Sequence, residues 1–272
     1  MGIINFTKMV AAGNDFVVVK LTSSQRRKVI RLSSFARNIC DRKFGAGADG
    51  LLVLEDIEGA EVRMRIFNAD GSEAEMCGNG ARCAAYFISG ANRLNTKLNI
   101  KTKAGIIHSL VNGNNVRINL TDPRDVKLDT PVKVNTRTMK VNFINTGVPH
   151  AVIFTEGLEK IDIPGLAPLI RYHKKFSPAG TNVDFIEVLS NDSLMVRTYE
   201  RGVEDETLAC GTGSVASALI FALKGGGRDG RVNVRTKSGE ILKVYFMRLG
   251  DSFRDVWLEG QARIVYTGEY HV

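Results

Sequence analysis

Short apolar runs bounded by glycine, asparagine or aspartate recur along most of the chain. Phe16-Val17-Val18-Val19, Leu51-Leu52-Val53-Leu54, Val116-Arg117-Ile118-Asn119-Leu120, Val183-Asp184-Phe185-Ile186-Glu187-Val188 and Val232-Asn233-Val234-Arg235 are the clearest. Their length and flanks predict strands. Residues 33–42 read as a helix, with Ser33 or Ser34 as its N-cap. Two further segments, 81–89 and 214–224, are built mostly from Ala, Leu, Ile, Phe and Ser. The second is apolar on almost every face, and a helix apolar all round is buried rather than laid on a surface. Gly225-Gly226-Gly227 ends it. The pattern predicts an α+β fold in which each half of the chain wraps strands around one buried helix.

The halves are copies of each other. Four stretches recur in the same order at an offset of 132 to 134 residues. Met9 to Val18 matches Phe143 to Val152 through one glycine and the apolar run after it, and Gly47 to Leu52 matches Gly180 to Phe185. The third pair is stronger: Cys77-Gly78-Asn79-Gly80 and Cys210-Gly211-Thr212-Gly213 share Cys-Gly-x-Gly, each opening a segment of small apolar residues. Upstream of it, Met64-Arg65-Ile66-Phe67-Asn68 lies against Val196-Arg197-Thr198-Tyr199-Glu200. The fourth sets Lys101-Thr102-Lys103-Ala104-Gly105 against Arg235-Thr236-Lys237-Ser238-Gly239. Two pseudo-symmetric domains are expected, with a boundary at the turn Thr121-Asp122-Pro123. The last dozen residues fall beyond the repeat and are expected to return to the first domain. The division is then 1–121 plus 261–272, and 122–260.

Composition narrows the function. A chain of 272 residues with 44% hydrophobic and 24% charged residues is globular. It has no run approaching the ~18 apolar residues of a membrane helix. Met1-Gly2-Ile3-Ile4-Asn5-Phe6 does not resemble a secretory signal, so a cytoplasmic location is expected. The net charge of +8 raises the prospect of nucleic-acid binding. However, Lys and Arg are scattered, the densest cluster (Arg26-Arg27-Lys28) is short, and no zinc-finger, KH or RNP pattern occurs. Four cysteines without a Cys-x-x-Cys pair argue against both a disulfide framework and a redox couple. Histidines at 108, 150, 173 and 271 lack metal-ligand spacing.

The chemistry centres on the repeated Cys-Gly-x-Gly. Each copy falls where a buried helix is expected to start. Glycines let a ligand approach the backbone closely, and the N–H groups of a helix start attract a carboxylate. The same field stabilises a thiolate. Two such motifs facing each other would set a thiolate on one side of a substrate α-carbon and a thiol on the other. One removes the proton, the other returns one to the opposite face, and the helix starts stabilise the charge between them. Cys40 and Cys83, within predicted helices, read as small buried hydrophobes.

These residues resemble the diaminopimelate epimerase family over nearly the full length. The matching stretches are Gly13-Asn14-Asp15-Phe16, Phe44-Gly45-Ala46-Gly47-Ala48-Asp49-Gly50, Phe67-Asn68-Ala69-Asp70-Gly71-Ser72 and Met76-Cys77-Gly78-Asn79-Gly80-Ala81-Arg82-Cys83. In the second half they are Thr146-Gly147-Val148-Pro149-His150, Gly180-Thr181-Asn182-Val183, Tyr199-Glu200-Arg201-Gly202-Val203-Glu204 and Ala209-Cys210-Gly211-Thr212-Gly213. The resemblance implies interconversion of LL- and meso-diaminopimelate for lysine and cell-wall precursor synthesis, without pyridoxal phosphate, metal or other cofactor. It implies Cys77 and Cys210 as the acid/base pair, with His150 and Glu200 tuning the thiols. It also implies substrate contacts from Asn14, Asn68, Asn182, Glu200, Arg201 and the backbones of Gly78-Asn79 and Gly211-Thr212, and a homodimer with Tyr266 at its interface. Arg201 suits a distal carboxylate; the asparagines and Glu200 suit an ammonium beside it. The chain departs from some relatives at Gly50, where they have Gln, and at Val148, where they have Asn. Racemisation of another amino acid on the same scaffold is the alternative; a thiol redox protein and a basic nucleic-acid-binding module are the rivals from other classes.

Overall fold

The computed structural model describes residues 2–22, 25, 31–57, 60–90, 94–227 and 229–272. The basic cluster Arg26-Arg27-Lys28 lies outside them. The chain divides into two compact units, Met1–Ile118 with Gly260–Val272, and Asn119–Glu259.

In the first unit, β1 (Ile3–Ala11) is antiparallel to β2 (Asn14–Lys20), and β2 is parallel to β3 (Gly50–Ile57) after the crossover helix α1 (Leu32–Cys40). β3 is antiparallel to β4 (Ala60–Asn68), which also carries the short β5 (Glu73–Ala74). Helix α2 (Gly78–Ser89) leads to β6 (Thr96–Thr102), parallel to β4, and then to β7 (Gly105–Asn112) and β8 (Asn115–Asn119) in an antiparallel meander. The second unit repeats this order. β9 (Arg124–Val134), β10 (Arg137–Asn145) and β11 (Pro149–Phe154) are successively antiparallel, and α3 (Ile163–Arg171) crosses to the parallel β12 (Asn182–Ser190). β13 (Ser193–Glu200) and β14 (Asp205–Thr207) follow, then α4 (Gly211–Leu223), β15 (Arg231–Arg235), β16 (Ile241–Leu249) and β17 (Ser252–Gln261).

One strand breaks the reading order. β18 (Arg263–His271) pairs antiparallel with β1 along nearly its whole length, from Ile3 opposite His271 to Val10 opposite Arg263. It occupies in the first unit the position that β9 occupies beside β10 in the second.

Each unit has helices on both sides of its sheet. Helix α2 contacts β1, β2, β3, β4, β6 and β7; α4 contacts β10, β11, β12, β13, β15 and β16. These are the central helices, and every residue of α4 from Gly213 to Ala222 is buried. On the other face, α1 seals a core with Val17, Val19, Leu51, Val53 and Phe67, and α3 seals one with Ala151, Ile153, Val183 and Phe185. A strand covered on both faces has no use for polar alternation, which is why Leu51-Leu52-Val53-Leu54 is wholly apolar. The fold is α+β with an internal duplication. Among the described residues, no helix is long and apolar enough to cross a membrane.

One local expectation needs correcting, and one helix is additional to those the pattern predicts. Helix α1 starts one residue before Ser33, with Arg31 as a cap that makes no side-chain bond. Ser33 instead turns its hydroxyl to the Gly71 carbonyl, so a contact distant in sequence takes the group that local capping would have used. Helix α3 lies in a stretch that the apolar pattern leaves unassigned, and it holds Pro168 in its interior. Pro164 lies in the first turn, where a missing N–H costs nothing, and Asp162 caps the helix by accepting from the Gly165 N–H at 3.1 Å.

Candidate active site

Both Cys-Gly-x-Gly motifs sit where the sequence places them. Cys77 is the N-cap of α2 and Cys210 the N-cap of α4, each with extended backbone dihedrals. Gly78-Asn79 and Gly211-Thr212 form the first turns, so their N–H groups belong to the set a helix start leaves without intrahelical acceptors. The last glycine of each motif lies against a neighbouring strand. A Cβ on Gly80 would come within 3.0 Å of the Leu52 side chain, and one on Gly213 within 2.4 Å of Asp184 Oδ1. A side chain at Gly213 would force Asp184 or the helix start to shift, and one at Gly80 would press on Leu52.

In the first unit, Cys77 is half-buried; its sulfur accepts from the Gly80 N–H at 3.5 Å and lies 3.9 Å from Asn14 Oδ1. Asn14 is held in turn: its Nδ2 donates to Asp49 Oδ2 at 2.7 Å. Asp49 accepts from Arg42, which also grips Asp15, and Lys8 pairs with Asp15 at 2.7 Å. Burial alone would raise the Asp15 pKa, but the bonds from Arg42 and Lys8 outweigh it and hold the group below the usual carboxylate range. Asn68, at the end of β4, is exposed and donates to Ser72 Oγ at 2.9 Å. Asn79 is buried, its side-chain carbonyl accepting from Arg82 at 2.7 Å. Gly50 pairs with Asn68 across β3 and β4, and a Cβ there would meet the Phe67 carbonyl at 2.8 Å. Packing at this position suits glycine. Tyr266 stands apart from these groups on β18, 43% exposed, donating to the Ala46 carbonyl at 3.0 Å.

In the second unit the polar groups are more deeply set. His150 is fully buried, with Nδ1 2.7 Å from Asp184 Oδ2. Asn182 donates to the Pro149 carbonyl at 2.9 Å, lies 3.5 Å from His150 Nε2, and accepts from the Arg201 N–H at 2.8 Å. Glu200 and Arg201 close β13 at a turn held by Glu204, which bonds the Gly202 N–H at 3.0 Å and Arg171 at 2.8 Å. Arg201 reaches the Ala179 carbonyl at 3.5 Å. Half-buried Val148 contributes a carbonyl, to the Thr146 N–H at 3.1 Å. Burial raises the Glu200 pKa, opposed by the Thr207 hydroxyl and His150.

Cys210 is 7% exposed and its sulfur lies 3.4 Å from Thr212 Oγ1. Burial first, and then the nearby carboxylates of Glu200 and Asp184, push its pKa well above the ordinary thiol range, against the smaller pull of Thr212. The helix start favours a thiolate, but at this cysteine desolvation prevails. A folded pKa above the unfolded one means that the contribution of this thiol to stability is full below the unfolded thiol's pKa and is lost as pH rises toward the folded one. The expected result for Glu200→Gln follows from the sign: removing a negative neighbour makes Cys210 easier to ionise. The ultraviolet thiolate absorbance of the variant should rise at lower pH than in the parent; an unmoved titration curve would exclude this coupling.

Three groups escape the motif-based reading: Asp49 behind Asn14, Asp184 behind His150, and the Glu204–Arg171 pair beneath the Arg201 turn. Asp184 left one sequence signal, an acid in the interior of an otherwise apolar strand start, Val183-Asp184-Phe185-Ile186.

The diaminopimelate epimerase family model matches residues 6–126 and 142–246. The chain is 41% identical over 272 residues to a diaminopimelate epimerase of Aquifex aeolicus, covering 97% of this chain and 96% of that one. It is 41% identical over 281 residues to the diaminopimelate epimerase of Methanocella arvoryzae, covering 99% and 97%. Among solved structures, a Bacillus anthracis phenazine biosynthesis protein of the PhzF family superposes with a TM-score of 0.75 at 19% identity, over 100% of both chains. A probable proline racemase from Agrobacterium radiobacter gives 0.70 at 15%, over 99% and 92%. These two likenesses speak for the fold alone. Matched in both of its duplicated halves and at full length, the chain belongs to the diaminopimelate epimerase family, a family of isomerases.

Proposed function

We propose that this enzyme interconverts LL- and meso-diaminopimelate by passing the α-proton between two thiols, Cys77 and Cys210. The observation that carries the reading is that each cysteine caps the buried central helix of its own unit. The substrate carboxylate at the reacting carbon then takes the N–H groups of Gly78-Asn79 and Gly211-Thr212, where charge developing on that side is stabilised. Cys210, whose environment favours the protonated form, enters as proton donor. Cys77 is the acceptor in that direction, and the roles exchange in the other. Asn14 lies beside the Cys77 sulfur. Arg201, Asn68, Asn182 and Glu200 recognise the distal amino-acid group, with Asn182 acting chiefly by fixing the Arg201 backbone. His150 and Glu200 tune the thiols.

Two thiols and two helix starts supply every proton and charge that this step needs, so the proposal includes no pyridoxal phosphate, metal or other cofactor. It also includes a cytoplasmic homodimer that uses β18, where Ile264, Val265 and Tyr266 are exposed side by side. Sedimentation of the purified protein, parent against Tyr266→Asp, tests the dimer.

The deciding experiment is turnover of LL-diaminopimelate in D2O beside a panel of other amino acids. The expected result is inversion with one solvent deuteron gained at the α-carbon. Inversion of another amino acid with none of diaminopimelate would move the assignment to a racemase of different specificity.

A further inference from the structure

We infer that Asp184 is a positioning residue for the proton-transfer site, holding His150 in the tautomer that carries its proton on Nδ1 and presents a lone pair at Nε2. The inference begins with an asymmetry between the duplicated halves. Against the last glycine of the first motif the neighbouring strand places Leu52; against that of the second it places Asp184. The scaffold accepts an apolar residue at this place, so the fold does not require an acid. A fully buried carboxylate costs stability unless its oxygens are bonded. Here both are: Oδ1 accepts from Thr198 Oγ1 at 2.7 Å, and Oδ2 faces His150 Nδ1 at 2.7 Å.

The other side of the ring fixes the direction of that bond. The Asn182 amide can sit only one way round, because its Oδ1 takes the Arg201 N–H and its Nδ2 faces the Pro149 carbonyl. The group 3.5 Å from Nε2 is therefore an NH2, a donor. Nε2 must accept, Nδ1 must carry the hydrogen, and the carboxylate of Asp184 receives it. At 3.5 Å the Asn182 contact is at the long limit of a hydrogen bond. A contact this long holds the Nε2 lone pair only weakly, so it can be released to accept a proton, the role proposed here for a residue that assists a thiol. The effect on turnover rests on the function proposed above; the tautomer does not.

The test is the imidazole 15N spectrum of histidine-labelled protein, with His150 assigned by the signal missing in His150→Gln. The parent should show a hydrogen on Nδ1 and a bare Nε2. A hydrogen on Nε2 in the folded parent overturns the inference without any variant. In Asp184→Asn the amide can offer either oxygen or NH2, so the ring should sample both tautomers. The kcat for diaminopimelate should then fall about 100-fold, the scale of a general acid–base contribution, with KM little moved. Thr198→Val, which leaves the His150 bond in place, should keep both the parent tautomer and the kcat. An Asp184→Asn protein with kcat within about twofold of the parent, or one that loses kcat and thermal stability with its tautomer unchanged, would overturn the assignment. If the parent proved inactive on diaminopimelate while His150 carried its hydrogen on Nδ1, the function would fail and the tautomer assignment would stand.

Discussion

Alanine at Cys210 is expected to abolish inversion while leaving exchange at one face of the substrate. With one thiol gone, Cys77 can still take the α-proton from the epimer that presents it. That proton exchanges with solvent on the sulfur and returns to the face it left. Incubation of each epimer in D2O should show one of them acquiring deuterium with its configuration retained, and the other inert. Cys77→Ala should show the converse. In both variants the rate of inversion should drop by about 10²–10⁴-fold or more, the contribution of a positioned acid or base, and the double variant should show neither inversion nor exchange. Stability is a minor concern. The capping bond that Cys77 accepts from the Gly80 N–H is long, at 3.5 Å, and a lost cap costs about 1 kcal/mol. A melting temperature near the parent's would therefore accompany the loss of turnover. Parent-like inversion in either single variant would end the two-thiol mechanism.

The second large effect concerns the fold. Removing residues 263–272 takes away β18 and leaves β1 without its outer neighbour. Eight residue pairs of register are lost, together with the edge-to-face contact of Phe6 with Tyr266 at 5.9 Å and of Phe35 with Tyr270 at 5.8 Å. At about 0.5–1.5 kcal/mol net per hydrogen bond, before any apolar loss, the cost reaches about 4 kcal/mol or more. That is a large share of the roughly 5–15 kcal/mol that holds a domain together. Urea unfolding of the shortened chain should show the first unit melting well below its parent midpoint, with the second, whose equivalent strand β9 is intact, melting close to the original one. The bared edge of β1 is also a pairing hazard, so aggregation should set in early. An unchanged midpoint would mean that β18 is ornamental.

The parts of this architecture that could be read in advance were those written locally or twice. The Cys-Gly-x-Gly copies marked both helix starts because a Gly-rich turn before a run of small apolar residues has few other uses. The all-round apolarity of 214–224 marked a central helix because only burial on every side makes it economical. The parts that escaped depend on residues far apart in sequence. Ser33 turned from capping its own helix because Gly71 offered a carbonyl. Helix α3 carries no local signal strong enough to announce it: Pro164 fits a first turn, but Pro168 stands inside the helix, and its apolar face is defined by the strands it covers. Asp184 looked like the polar slot of a strand; its meaning comes from His150, 34 residues away, and no local pattern records that pairing. Asp49, 35 residues from Asn14, escaped for the same reason.

The placement of β18 beside β1 has a consequence for biosynthesis. Residues 119–259 leave the ribosome before 263–271 do, so the half encoded second has all its own strands first. The half encoded first waits, with β1 uncovered, while some 150 further residues are added, about 10–30 s at ordinary elongation rates. The unit encoded first is therefore the one whose sheet can be completed only by the last strand to be made, after every strand of the other has been synthesised.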